Sequence, residues 1–525
     1  MQKKPAPAQP VSDVSPGLRR YLYLTAAVTG AVILIVEILG AKMLSPYFGT
    51  SHFVWTAQIA VTLVSLAAGY WFGGWLVDRS QKLHRLYFCI LGAALYLATT
   101  IAFCEPVAYA CLRFKLAAGS VLASLFLFFV PLTLLAAVGP FVIRVMTSSV
   151  SVVGGQVGRL SAISTLGSVL GTVLIGYVLL PFLPNSVTMY ITAGVLVAVA
   201  SGYFVVAKQS QQQMTATVLV ALTALLGYGG VRVDNNPNYI LGTQIERRNS
   251  DFGLLQVLES QSRDTRYYLN DYLTQNTYDP ETKKSVSLFT YMLHGLARVY
   301  TSTLDDVLCI GLGVGIAPMN FARDGAKVDA VEINPAVVPL AAKHFGLEPD
   351  KLNIIIGDGR YHLNATDKKY DAVVLDAFLG DSSPSHLMTR EAFAAMQEVL
   401  KPGGVLVINS FGDFSPGRDF FTASLDKTLK AVFKSVRIHH SGGGNVFFVA
   451  SDRAPLEFER EPDVSAVHPS VQWEAETAYR RIGNVNSTSG MVLTDDYNPV
   501  EFYDAANRES TRQYLARNMR RPRGD

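Results

Sequence analysis

Cysteine is scarce in this chain. The four present, Cys89, Cys104, Cys111 and Cys309, show no CxxC or metal-ligand spacing. Three lie in or near long apolar runs and the fourth inside a short one. A disulfide framework is therefore excluded, and no metal site is expected. Charge is thin as well. Asp, Glu, Lys and Arg make up 17% of the chain, against roughly 25% in a soluble domain. The shortage sits at one end. Residues 1–230 hold 13 of the 45 Lys and Arg but only four of the 42 Asp and Glu, which leaves 32 basic and 38 acidic residues beyond. Neither half carries a dense basic stripe beside aromatics, so nucleic acid is excluded as a partner.

Long apolar runs are what the first half has instead. About 20 apolar residues span a bilayer as a helix. Runs of that kind cover 21–40, 53–76, 86–104, 120–139, 160–182, 187–207 and, more weakly, 215–231. Residues 1–20, rich in Pro and Ala, are expected to be disordered. Residues 105–119, with Arg113 and Lys115, read as interfacial or re-entrant. Small residues at Gly69, Gly73, Gly74, Gly167, Gly171 and Gly176 suit close helix contact. Glu37 is a carboxylate inside an apolar run, which suggests either an internal pair, with Lys42 for example, or an ion or substrate role. Basic residues gather in alternate loops (Arg19, Arg20, Arg79, Lys82, Arg85, Arg144, Arg159, Lys208), which orients the N-terminus inside. This half therefore reads as a polytopic membrane domain over 21–231, placed in the cell (inner) membrane. Seven crossings would carry the second half outside. Six, with 215–231 lying in the interface, would keep it cytoplasmic, where a nucleotide-like cofactor is available.

The second half opens at Asn235-Asn236-Pro237-Asn238. Residues 232–300 read as a linker and a small β region, with strands in 245–258 and 265–273, a tight turn at Asn270-Asp271, and a helix over 285–299. On that helix Leu288, Met292, Leu296 and Val299 share one face. From 301 to 505 short apolar runs each end in glycine or a carboxylate: 307–310 at Gly311-x-Gly313-x-Gly315, 328–331 at Glu332, 354–356 at Gly357-Asp358-Gly359, and 370–375 at Asp376. Such runs suit strands of a parallel sheet buried on both faces, and ligands bind beyond their carboxyl ends. Glycines let a backbone turn tightly and approach a ligand. Glu332 suits the hydroxyls of a ribose, Asp358 an adenine amino group, and Asp376 an attacking amine. A dinucleotide fingerprint would need glycine where Ile316 stands, so an adenosyl sulfonium ligand fits better than NAD. Lys401-Pro402-Gly403-Gly404 leads into a fifth strand ending at Asn409, and 433–438 with 445–450 close the sheet as an antiparallel pair. The fold expected is a Rossmann-like methyltransferase fold. A basic tail, 506–525, ends the chain and could rest on an anionic leaflet.

These residues carry a family resemblance. Residues 245–450 resemble spermidine synthase, an aminopropyltransferase, through Ser250-Asp251-Phe252-Gly253, Asn270-Asp271 with Gln275, Tyr291 with His294, and Glu332, Asp358 and Asp376. The first half is similar to the membrane region of fused transporter-like spermidine synthases, through Glu37, 46–49 and 73–79. The resemblance implies transfer of an aminopropyl group from decarboxylated S-adenosylmethionine to putrescine or a related amine, with no permanently bound cofactor. It implies Asp376 as the catalytic base, Gln275, Gly311, Gly313, Gly315, Glu332, Asp358 and Gly359 at the cofactor, and Tyr291 and His294 at the amine. Two departures stand out. The family has acidic residues where this chain has Val314 and Leu379. Asp381, or Asp495 and Asp496 in Thr494-Asp495-Asp496-Tyr497-Asn498-Pro499, would then supply the missing counter-charge. The expected partners are a small amine, the lipid bilayer and a second copy of the chain. Two other readings stay open: a methyltransferase using intact S-adenosylmethionine, and a transporter-like protein whose second half senses an adenosyl ligand.

Overall fold

Long apolar sequence becomes long helix wherever no proline or glycine cluster stops it. In the computed structural model, residues 14–49, 52–147, 153–207, 210–234, 238–239, 241–271, 273–378, 384–442, 444–485, 488–503, 505, 507, 509–510 and 512–513 are described. The chain divides into two compact units, Met1–Asn236 and Pro237–Asp525.

Among the described residues of the first unit, seven helices are long and apolar enough to cross a membrane by length and composition. They are Pro16–Phe48, His52–Arg79, Leu83–Cys111, Leu116–Met146, Val153–Phe182, Asn185–Val206 and Gln212–Gly230. The expected disorder over 1–20 needs correction at its end. Ser15 caps the first helix by accepting from the Leu18 amide, and Pro16 takes a position whose missing N–H costs nothing. Residues 1–13 lie outside the described residues. Within 105–119, expected to be interfacial or re-entrant, one helix runs on to Cys111, a short turn follows, and the next helix starts at Leu116. Gly167 and Gly171 pack on the backbone of Ala27 and Ala31, where any Cβ would collide, and Gly69 and Gly73 do the same at Thr133 and Ala137. Gly74 and Gly176 face open space and serve no such contact. Glu37 hydrogen-bonds Thr62 on the following helix.

Among its described residues the second unit holds two sheets. A six-stranded antiparallel meander joins β1 (Asn238–Tyr239), β2 (Gly242–Ser250), β3 (Gly253–Glu259), β4 (Arg266–Asn270), β5 (Leu273–Asp279) and β6 (Lys284–Ser285) in sequence order. The expected strand over 245–258 is in fact a hairpin, broken at Asp251-Phe252. Asp271 sits at φ 48° in the β4–β5 turn, and its carboxylate accepts from the Leu254 amide at 2.9 Å. The helix Leu288–Val299 follows, with Met292 and Leu296 fully buried; each such side chain contributes about 1.5–3 kcal/mol.

The larger sheet takes β7 (Asp306–Ile310), β8 (Lys327–Glu332), β9 (Asn353–Ile356), β10 (Tyr370–Leu375), β11 (Leu400–Phe411), β12 (Ser435–His440) and β13 (Asn445–Ser451) in the order β12-β13-β11-β10-β7-β8-β9. Only β13 runs antiparallel to its neighbours. Both faces are covered, as apolar runs without alternation demand. Val307, Cys309, Ala372 and Val374 enter one core, and Leu308, Ile310, Val373 and Leu375 the other. The order reverses between β7 and β10, which places a crevice at their carboxyl ends. The Lys401–Gly404 turn lies within β11, as a register break against β10.

Candidate active site

The crevice is a cavity of about 390 Å³, within the range of small-molecule sites. Its floor is the set of strand tips. Past Ile310 the chain must turn at once, because β10 ends alongside. Gly311 does so at φ 99°, with its amide on Val331 O at 2.8 Å, and a Cβ there would run into the Asp376 carbonyl. Gly313 also has positive φ and lines the cavity. Gly315 does not line it. It starts the helix Ile316–Arg323 in the left-handed region, against Leu347.

Glu332, at the tip of β8, is buried. One carboxylate oxygen accepts from the Leu312 amide at 3.1 Å and the other from the Asn334 amide at 2.8 Å. Burial raises its pKa, and these amides oppose the rise. It thus ties the glycine turn to the β8 loop. Asn334 in turn donates to Ser250 Oγ at 2.9 Å, which fastens the β2–β3 turn and its Phe252 to the cavity wall.

Asp358 caps the helix Gly359–Ala365, accepting from the Arg360 amide at 2.9 Å and the Tyr361 amide at 3.1 Å. Its other oxygen meets His386 Nε2 at 2.9 Å. Burial alone would raise its pKa, but those amides and the imidazole outweigh it, and the pKa is lowered. Asp358 and Gly359 both line the cavity.

Asp376, at the tip of β10, is treated differently. Asn409 Nδ2 donates to its Oδ1 at 2.9 Å. Protein surrounds the carboxylate, although part of the residue opens to the cavity. Desolvation, helped by the charge of Glu332 and opposed by Asn409, pushes its pKa up to about 6. A carboxylate with that pKa is ionised at neutral pH and a stronger base than a solvated one. Gln275, on β5, also lines the cavity.

Of the remaining expected residues, Tyr291, His294, Asp495 and Asp496 are not at the cavity. Tyr291 is buried and donates to Ser285 O at 2.7 Å. His294 pairs with Asp324 at 2.9 Å. Their helix turns both away from the cavity, so their spacing served packing. Asp495 binds Arg360 at 3.0 Å and Thr389 at 2.6 Å, and Asp496 lies outside the lining. The Asp-Asp-Tyr-Asn-Pro stretch is a brace for the 384–389 segment: Asn498 also donates to Ser385 O, at 3.0 Å. Asp381 and Leu379 fall outside the described residues. Val314 is buried and lines the cavity as an apolar group.

The lining residues that sequence reasoning missed include His386, Asn409, Asn445 and Glu474. Asn409 could have been found as the polar end of a buried strand. Glu474 could not, because it comes from the helix Pro469–Arg480, almost 100 residues past Asp376. Four carboxylates line the cavity (Glu332, Asp358, Asp376 and Glu474), and no Lys or Arg does among the described residues.

Several known proteins are similar to parts of this chain. Residues 308–408 match the model of a methyltransferase domain. A polyamine aminopropyltransferase of Vibrio vulnificus is 29% identical over 234 residues, covering 42% of this chain and 77% of that protein. Part of the chain is similar in sequence to polyamine aminopropyltransferases. These homologues are transferases. An N-terminal histidine N-methyltransferase of Emericella nidulans is 31% identical over 184 residues, covering 32% of each chain, so this chain spans about a third of that relative. Among solved structures, a spermidine synthase of Thermotoga maritima superposes with a TM-score of 0.36 at 19% identity, over 44% of this chain and 87% of that one.

Proposed function

We propose that this protein is a membrane-anchored aminopropyltransferase that moves the aminopropyl group of decarboxylated S-adenosylmethionine to putrescine or a related amine. The observation that carries this reading is the charge of the cavity: four carboxylates and, among the described lining residues, no Lys or Arg. A sulfonium bearing a free amine, with an amine acceptor beside it, brings only positive charge. Desolvating such groups unpaired costs several kcal/mol, and this lining supplies counter-charge. The α-carboxylate of intact S-adenosylmethionine would meet no Lys or Arg among the described lining residues, and the imidazole there, His386, is already paired with Asp358.

In the reaction proposed, the neutral amine nitrogen attacks the carbon next to sulfur. A C–N bond forms, the C–S bond breaks with its electron pair going to sulfur, and methylthioadenosine leaves. Asp376 accepts a hydrogen bond from the amine, balances the charge growing on nitrogen and takes its proton. Glu332, through the turn it holds, and Asp358 would seat the ribose and adenine, with Gln275, Gly311, Gly313 and Gly359 around them. Glu474 is the lining carboxylate best suited to a second ammonium on the acceptor, in place of the acids absent at Val314 and Leu379.

Methyl transfer from intact S-adenosylmethionine is the second reading. Val314 favours it, because an apolar side chain there removes one expected contact to the aminopropyl ammonium. Calorimetry of the full chain with S-adenosylmethionine, its decarboxylated form and methylthioadenosine separates the two. Tighter binding of the carboxylated form would replace the first reading by the second.

The location proposed is the cell membrane, with the second unit on the cytoplasmic face. The loop charges support an inside N-terminus. A cytoplasmic second unit then requires that the last helix not cross, and its apolar window has the lowest mean hydropathy of the seven, 1.3.

A further inference from the structure

Among the described residues, Asp376 has one carboxylate oxygen engaged, by Asn409 Nδ2 at 2.9 Å. An amide can present either its NH₂ or its oxygen to a neighbour. What faces Asn409 from the other side therefore matters. Asn445 Nδ2 donates to Asn409 Oδ1 at 2.8 Å. The two asparagines stand on adjacent strands, β11 and β13, with Asn445 opposite Phe411 and Asn409 opposite Phe447, so they share one face of the sheet. Asn409 is buried, and all three residues border the cavity.

The polarity of this chain of bonds is forced. An ionised carboxylate only accepts. Asn409 must then turn its NH₂ to Asp376 and its oxygen to Asn445, and Asn445 must donate. If Asp376 were protonated, the same chain could reverse, with its O–H donating to the Asn409 oxygen. We propose that Asn445 and Asn409 are a positioning pair that holds Asp376 in its ionised, accepting form and leaves its second oxygen for the acceptor amine. The proposal rests on the reading of Asp376 as the group that receives that amine.

The other charged and titratable groups near Asp376 act against ionisation or are silent. Glu332, at the tip of β8, adds negative charge. Cys309, on β7, stays a thiol because burial and the charge of Asp376 push its pKa up. Asn409 is the group that counters desolvation at Asp376.

The test uses the full chain, wild type against Asn409→Leu and Asn445→Asp. The second change keeps Asn409 but offers it an acceptor, so the Asn409 amide should reverse and show Asp376 its oxygen. Two quantities are read: the acid limb of kcat/KM against pH, and the midpoint of the protonated-carboxyl infrared band that Asp376→Asn removes. Methylthioadenosine binding by calorimetry reports whether the cavity is intact. Both variants should move the limb and the midpoint upward by about one to two pH units, with nucleoside binding kept. Unmoved midpoints in both variants would overturn the pair. A shift in Asn409→Leu without one in Asn445→Asp would overturn the role given to Asn445. If Asn409→Leu loses nucleoside binding, Asn445→Asp decides alone. A wild-type chain that transfers no aminopropyl group, yet shows the infrared shifts, would sink the proposed reaction and leave the pair standing.

Discussion

Replacing Asp376 by Asn should remove turnover and, at the same time, stabilise the second unit. The carboxylate pKa stands at about 6 instead of its ordinary 3.8 because protein replaces water around it. Between those two values the folded chain holds a proton that the unfolded chain has released. Stability therefore falls as pH rises through that window and stays reduced above it. A rise of that size corresponds to about 3 kcal/mol at pH 7, and the opening to the cavity brings the expectation nearer to about 2 kcal/mol. Asparagine keeps the shape and can still accept from Asn409, but has no charge to desolvate. Thermal unfolding of the second unit within the full chain should therefore rise by several degrees at pH 8, at about 2–4 °C per kcal/mol for a unit of this size. The gain should shrink to nothing near pH 4. Turnover should fall by about 10²–10⁴, with methylthioadenosine binding unchanged. A variant less stable than wild type at pH 8, or a gain independent of pH, would refute the desolvation argument. Turnover equal to wild type would refute the mechanism.

Glu332→Gln should weaken methylthioadenosine binding at least tenfold, because a neutral amide cannot accept from both the Leu312 and Asn334 amides; calorimetry reads this, and unchanged affinity would free Glu332 of the role. Glu474→Gln should raise KM for putrescine several-fold, leave kcat within about twofold, and leave KM for butylamine, which lacks the second ammonium, unchanged; steady-state kinetics with the two amines would show a general loss instead if the residue merely braced its helix. Fluorescent and phosphatase reporters fused after residue 525 should report the cytoplasmic side, and an active phosphatase would place the second unit outside and contradict the location proposed.

Much of this architecture is legible in the order of residues, and the reason is burial. A strand covered on both faces is mostly apolar, so 307–310, 328–331 and 370–375 stand out despite Asp329 and Asp371, and their glycine and carboxylate ends mark the crevice. Strand β13 shows for the same reason, whereas β12, at the sheet edge, is only partly buried. Side-chain direction is less legible. Tyr291 and His294 are three residues apart on a helix, and that spacing cannot say whether the shared face meets the cavity or, as found, Ser285 and Asp324. Asp495 drew notice as an unusual acid and proves to be the partner of Arg360 and Thr389. Asn445 and Glu474 gain their places only through strand pairing and helix docking, which join residues far apart in the chain.

One measurement bears most directly on the central claim, that strand-tip acids hold an adenosyl sulfonium and ready an amine over it. Purified full-length protein is given decarboxylated S-adenosylmethionine and putrescine, and the products are weighed by mass spectrometry. The account predicts spermidine and methylthioadenosine in equal amounts, and at least about a hundredfold less of both from Asp376→Asn. Methylated amine and S-adenosylhomocysteine formed from intact S-adenosylmethionine, with no spermidine from the decarboxylated form, would contradict it.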